Sequence, residues 1–161
     1  MSSAVKMLEQ KEYKEITVLD LVADSGVNRN TFYYHFKDMD SLMVELSKTA
    51  IERVFSASKL VAADKLADLV NLMYKNRNSI LHVYCSADRA DFDKGLFAAC
   101  EYIAAKICSE SAELKNKSEL EKDAWCSYVK CSCYGLVSDW MSNGLVEDGY
   151  IKLRAILEKA K

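Results

Sequence analysis

The stretch Thr17-Val18-Leu19-Asp20-Leu21-Val22-Ala23-Asp24-Ser25-Gly26-Val27-Asn28-Arg29-Asn30-Thr31-Phe32-Tyr33-Tyr34-His35-Phe36-Lys37-Asp38 carries the reading of the fold. Thr17 can cap a helix whose third position is Asp20: the hydroxyl accepts from a free amide while the acid reaches back to the cap. That helix stops at Ser25-Gly26, since glycine takes the left-handed conformation of a helix end without a Cβ penalty. Asn28 caps a second short helix, Arg29 to Phe36. Two helices of about two turns each, joined by Ser-Gly-Val-Asn, fit a helix-turn-helix. Leu21, Val22, Val27, Phe32 and Phe36 can face one small core. Between Ser25 and Lys37 no acid occurs, whereas Arg29, Asn30, Thr31, Tyr33, Tyr34, His35 and Lys37 all do. Each can donate to a phosphate or read a base edge. The same pattern also fits a polar helix hairpin on an unrelated helical protein.

Working outward, residues 3–11 read as a short amphipathic helix with Val5 and Leu8 on one side, followed by a turn at 12–15. Asp38 or Asp40 begins a long helix running towards Val61. Five more helices follow at 64–76, 77–86, 90–110, 118–142 and 147–160, with loops at 88–93 and 109–118. Asn143-Gly144 ends the penultimate helix. Composition agrees. The 161 residues are 50% hydrophobic with five glycines and no proline, which favours helices on short loops over a sandwich or barrel. The expected class is all-α.

The 22 basic and 24 acidic residues nearly balance, which excludes a strongly basic nucleic-acid coat but not a local reading surface. The acid-free window is indeed local, since residues 1–58 hold 7 basic and 9 acidic groups, a net of −2. No apolar run reaches the ~18 residues of a membrane span and no leader pattern opens the chain, so a cytoplasmic protein without membrane partners is expected. The cysteines at 85, 100, 108, 126, 131 and 133 form no C-x-x-C, and only two histidines accompany them. Buried reduced thiols are expected, with no metal and no cofactor. No Ser-His-Asp set, phosphate loop or H-E-x-x-H points to an enzyme.

Ile16-Thr17-Val18 and Gly26 to Asp38 together resemble the DNA-binding domain of the TetR family of transcriptional regulators, with detailed similarity over about residues 14–46. The wording of residues 28–36 also resembles a subgroup that includes activators of dihydroxyacetone kinase operons. The resemblance implies a three-helix DNA-binding domain over 1–46 and a helical ligand-binding and dimerisation domain over 47–161. It implies a homodimer on double-stranded operator DNA, controlled by an unknown small-molecule or protein effector. Tyr33 and Lys37 would touch the DNA backbone with help from Thr17. Arg29, Asn30, Tyr34 and His35 would lie in or beside the major groove, with Arg29 and Asn30 the better candidates for bases; Thr31 would belong to the same DNA-binding set, and Phe32 and Phe36 to the core. Three positions depart from the family. Leu19 and Met39 stand where polar or basic residues are usual, and the first helix begins without a basic arm, which suggests a start downstream of the natural one. Each departure removes phosphate attraction, so a helical interaction protein without operator binding is the alternative.

For the last two helices the resemblance implies a four-helix dimer interface, drawn on Trp125, Val129, Leu136, Trp140, Tyr150, Leu153 and Leu157. An intramolecular core is the other reading of the same residues. Tyr74, Arg77, His82, Tyr84, Tyr102 and Tyr128 can line an effector pocket, or can equally be core residues with polar tips at the surface.

Overall fold

The computed structural model describes residues 2–57 and 62–159; these form helices joined by short connections, with no strand among them. In order they form α1 (Ser2–Leu8), a 3₁₀ turn (Tyr13–Glu15), α2 (Val18–Ser25), α3 (Arg29–His35), α4 (Met39–Ala57), α5 (Ala62–Lys75), α6 (Arg77–Ser86), α7 (Arg89–Glu110), α8 (Glu119–Ser142) and α9 (Glu147–Lys159). The first helix is shorter than expected, ending at Leu8. The expected extension of α4 to Val61 and the end of α9 at residue 160 lie outside the described residues.

Local chemistry sets the boundaries. Thr17 Oγ1 accepts from the Asp20 amide at 3.2 Å while the Asp20 carboxylate accepts the Thr17 amide at 2.9 Å. Gly26, at φ 67, closes α2. Asn28 opens α3 by accepting the Asn30 amide at 2.7 Å. Asp38 rather than Asp40 caps α4, accepting the Ser41 amide at 2.8 Å. Ser118 and Glu121 repeat the reciprocal cap at α8.

Three apolar clusters organise the chain. Ala4, Leu8, Ile16, Leu21, Phe32 and Leu42 form the core of the N-terminal helices, with Val83 of α6 packed against it. Ile51, Phe55, Leu69 and Ile107 join the second half of α4 to α5 and α7. Val70, Trp140, Met141, Leu145 and Leu153 form the third cluster, where α5, α8 and α9 meet. Thus α4 starts in one core and ends in another.

Several expectations need correction here. Val27 is 45% exposed, because the turn carries it past the edge of the core. Trp140 and Leu153 belong to the protomer's interior, at 2% and 5% exposure, so they are not free to contact a second copy. Leu136, Tyr150 and Leu157 are half-buried against the same cluster, and Val129 against the one around Ile51. Of the seven residues read as the dimer face, these six therefore turn into the protomer and Trp125, 47% exposed, stays on the surface; the indole Nε1 of Trp140 donates to the Val146 carbonyl at 2.9 Å. The cysteines are not uniformly buried thiols either. Cys85 and Cys131 are exposed, and Cys108 of α7 is disulfide-bonded to Cys126 of α8, with Cα atoms 6.2 Å apart. The two helices run back to back from the 111–118 loop, so residues far apart in sequence face each other, a register that no local spacing reveals.

Candidate nucleic-acid interface

The α2-turn-α3 unit sorts its residues by periodicity. Phe32 is buried, and Phe36 packs half-buried beside it with ring centroids 5.5 Å apart. Arg29, Asn30, Thr31, Tyr33, Tyr34, His35 and Lys37 are all exposed, so the seven side chains expected to face DNA do share the solvent side. Tyr34 is 85% exposed against 46% for Tyr33. The ring of Tyr33 lies edge-on to Phe32 at 5.3 Å, and the Arg29 guanidinium sits 5.5 Å from the Tyr33 centroid. These contacts hold two long side chains in a common orientation at the start and middle of α3. His35 stands edge-on to Tyr34 at 5.0 Å.

Thr17 is placed differently from a free hydroxyl. Its Oγ1 donates to Asp20 Oδ2 at 2.6 Å as well as accepting from the Asp20 amide. The Thr17 hydroxyl and amide hold the Asp20 carboxyl below its usual range, so that carboxyl stays charged beside the cap. Lys37 also has acidic neighbours. The Ser41 amide, bonded to Asp38, holds the Asp38 carboxyl low, with its hydroxyl and the nearby Lys37 charge adding to the effect. Asp40 accepts a hydrogen bond from the Tyr13 hydroxyl, and burial of the ring together with that bond pushes the phenol far up.

Sequence reasoning missed Lys14. The 3₁₀ turn folds back onto the start of α4, so Lys14 lines one depression together with Tyr13, Tyr33, Lys37 and Met39. Its position within Glu12-Tyr13-Lys14-Glu15 hid it, since neighbouring acids cancel a lysine in any local charge count. Leu19 is 60% exposed, an apolar side chain on the outer surface of α2.

The six residues suggested for an effector pocket do not converge. Tyr74 stacks on Tyr150 at 4.5 Å with the Arg77 guanidinium 4.8 Å from its centroid. Tyr84 bonds the Ser142 hydroxyl at 3.2 Å, and Arg89 sits over its ring. His82 Nδ1 lies 2.7 Å from the Leu8 carbonyl at the end of α1. Tyr102 donates to Glu52 of α4, and Tyr128 is exposed next to Trp125. Spread over four helices, the first five serve packing and helix-to-helix contacts, while Tyr128 stays on the surface of α8.

Two short helices with a donor-rich outer face, carried on a larger helical body, define a helix-turn-helix transcriptional regulator. The model for bacterial regulatory proteins of the tetR family matches residues 1–46, and that for a transcriptional regulator C-terminal region (TetR_C_8) matches residues 62–149. The chain belongs to the TetR family. A 56-residue stretch is 34% identical to the HTH-type transcriptional regulator EthR of Mycolicibacterium smegmatis (strain ATCC 700084 / mc(2)155), covering 35% of this chain and 26% of that protein. The likeness therefore spans about a quarter of that relative's length. Among solved structures, the dihydroxyacetone kinase operon activator DhaS aligns with a TM-score of 0.69 at 16% identity, over 99% of this chain and 92% of that one. A TetR transcriptional regulator from Streptococcus agalactiae 2603V aligns with a TM-score of 0.53 at 18% identity, over 95% and 89%. At such identities the two structures speak to the fold alone. Regulators of this family are generally transcription factors rather than enzymes, and no helix among the described residues is long and apolar enough to cross a membrane.

Proposed function

We propose that this regulator binds operator DNA as a homodimer, with residues 1–46 as the reading domain and 47–161 as the regulatory and dimerisation domain. It works in the cytoplasm, without catalysis, under a small-molecule or protein effector. The observation that carries the reading is the outer surface of α3 and the two residues after it, where seven donors stand exposed around the buried Phe32 and the half-buried Phe36. Tyr33, Lys37 and Lys14 hold the backbone. Arg29 and Asn30 read bases, since arginine forks onto guanine and asparagine pairs with adenine edges. Thr31, Tyr34 and His35 line the groove beside them. Thr17 contributes through the amides of the α2 terminus more than through its hydroxyl, which is already committed to Asp20.

The dimer face we assign is the outer stripe of α8, Ala124, Tyr128, Cys131 and Gly135, flanked by Trp125 and by Ile151 and Ala155 of α9. Its spacing of four, three and four keeps one side of the helix outward, and its small residues let a second helix approach closely. Tyr128 and Ile151 are 62% and 56% exposed in the protomer.

The test is a mobility-shift titration on the DNA upstream of the protein's own gene and on a scrambled duplex, at several salt concentrations. Lys37→Ala should weaken both duplexes alike and flatten the salt slope by about one unit. Arg29→Ala should cost about 1–3 kcal/mol on the upstream DNA and little on the scrambled one. The exposed Leu19 favours a second reading, a helical interaction protein without operator binding. Failure of the parent protein to retard any upstream duplex at low salt would select it.

A further inference from the structure

The α7–α8 hairpin carries five cysteines, four of them in two facing pairs and the fifth, Cys131, exposed on the outer side of α8. Cys108 lies in the last turn of α7 and is bonded to Cys126 across the seam. Eight residues back along α7 is Cys100, and seven residues on along α8 is Cys133, near enough to reinforce the upward push on the Cys100 thiol. The pairs differ in setting. Burial pushes Cys100 to about 12 and Cys133 to about 11, so the inner pair stays protonated and unreactive. The outer pair is half-buried at the end of the seam that opens onto the 111–118 loop.

That end of α7 is also where it grips its neighbours. Ile107 packs with Ile51 and Phe55 of α4. Tyr102 and Lys106 both bond Glu52 of α4, the lysine at 2.9 Å. Glu110 pairs with the buried Lys65 of α5 at 2.5 Å. A covalent bond made or broken at Cys108 therefore acts within one turn of the contacts that hold α4, whose other end enters the core of the DNA-reading helices. Where DNA-binding proteins work thiols are ordinarily kept reduced, and a disulfide formed there is characteristically transient and sensing.

We propose that Cys108 and Cys126 form a reversible thiol–disulfide site, closed by low-molecular-weight disulfides of the glutathione class and coupled through α7 to α4. One protein thiolate attacks a sulfur of R–S–S–R, forming a mixed disulfide and releasing RS⁻. The second protein thiolate attacks the protein-bound sulfur, closing the Cys108–Cys126 bond and expelling the second RS⁻. The two protein thiols lose two electrons and two protons, and the oxidant leaves as two RSH; excess RSH reverses both steps. This names the chemistry of a signal for the regulator proposed above, and its DNA arm rests on that reading.

The full chain is equilibrated in buffers of set glutathione disulfide to glutathione ratio, quenched with acid, and mapped by peptide mass. One peptide pair joined at Cys108 and Cys126 is expected, disappearing in excess glutathione, with C108S and C126S each trapping a mixed disulfide on the remaining cysteine of the pair and C85S behaving as the parent. Hydrogen exchange across Met39–Ala57, which needs no DNA, should differ between the oxidised and reduced parent and not between oxidised and reduced C108S. Affinity for the upstream duplex should change by about fivefold or more between the two forms. The proposal is overturned if no ratio yields the Cys108–Cys126 peptide, if the bond forms only between chains through Cys131, or if exchange in α4 is the same in both forms. A mapped bond with altered exchange in a protein that retards no DNA would sink the operator reading and leave the thiol site standing.

Discussion

Leu145 lies at φ 51, a backbone region that L-residues seldom occupy, with its side chain completely enclosed among Trp140, Met141 and Val70. Packing holds the strain. Leu145→Ala keeps the strain and empties the site, so it should destabilise the protein by about 2–5 kcal/mol in urea unfolding. Leu145→Gly loses slightly more apolar volume but relaxes the backbone, and should prove no less stable than the alanine variant. The indole of Trp140 imposes a second demand nearby. A Cβ added at Gly149 would fall 2.2 Å from Trp140 Cδ1, so Gly149→Ala should cost about 1–3 kcal/mol, read as a lower melting temperature. Phe32 and Phe36 were legible as core because they alternate with polar neighbours on one short helix. Leu145 was not, since local propensity argues against leucine at that conformation and only the tertiary cluster supplies the reason. Trp140 was misread because α8 is apolar on several sides, and the spacing of apolar residues does not say which side turns inward.

Among the elements, α8 shows most clearly how side-chain chemistry fixes a boundary. The Ser118 amide and hydroxyl, with Lys117 beyond them, hold the Glu121 carboxyl at about 2 against an ordinary 4.5. A carboxyl depressed on folding stabilises the fold above its unfolded value and loses that contribution as pH falls through its folded one. The contribution of this cap should therefore be intact above pH 4.5 and fade towards pH 2. Glu121→Gln should flatten the fall of melting temperature across that window and change little at neutral pH. At α3, Asn28→Ala removes the acceptor for the Asn30 amide and should cost about 1 kcal/mol, visible as faster amide exchange in the first turn of that helix. Caps of this kind are written within four residues, which is why the starts of α2, α3 and α8 were readable in the chain. The turn at Tyr13–Glu15 was readable too, but its packing against Met39 and Asp40 was not, because that contact bridges more than twenty residues.

For the whole molecule, the outward stripe of α8 and α9 sets the expectation for assembly. Tyr128→Glu and Ile151→Glu place charges on surface already exposed in the protomer, so each should keep its helical circular dichroism while sedimenting as a monomer. Trp140→Glu should instead unfold the protein, because it buries an unpaired charge in the third cluster. Helix count and order were legible from periodicity and breakers, but the pairing of α7 with α8 and of α5 with α9 depends on contacts that no window of sequence contains. The same holds where α1 meets α6. The imidazole of His82 meets the last carbonyl of α1, and Val83 completes the core formed by the first four helices. The N-terminal helical region thus borrows two of its own parts from the middle of the chain. A fragment ending at residue 46 would lack its seal and its last wall, so heating the full chain should melt this region and the body together in one calorimetric peak.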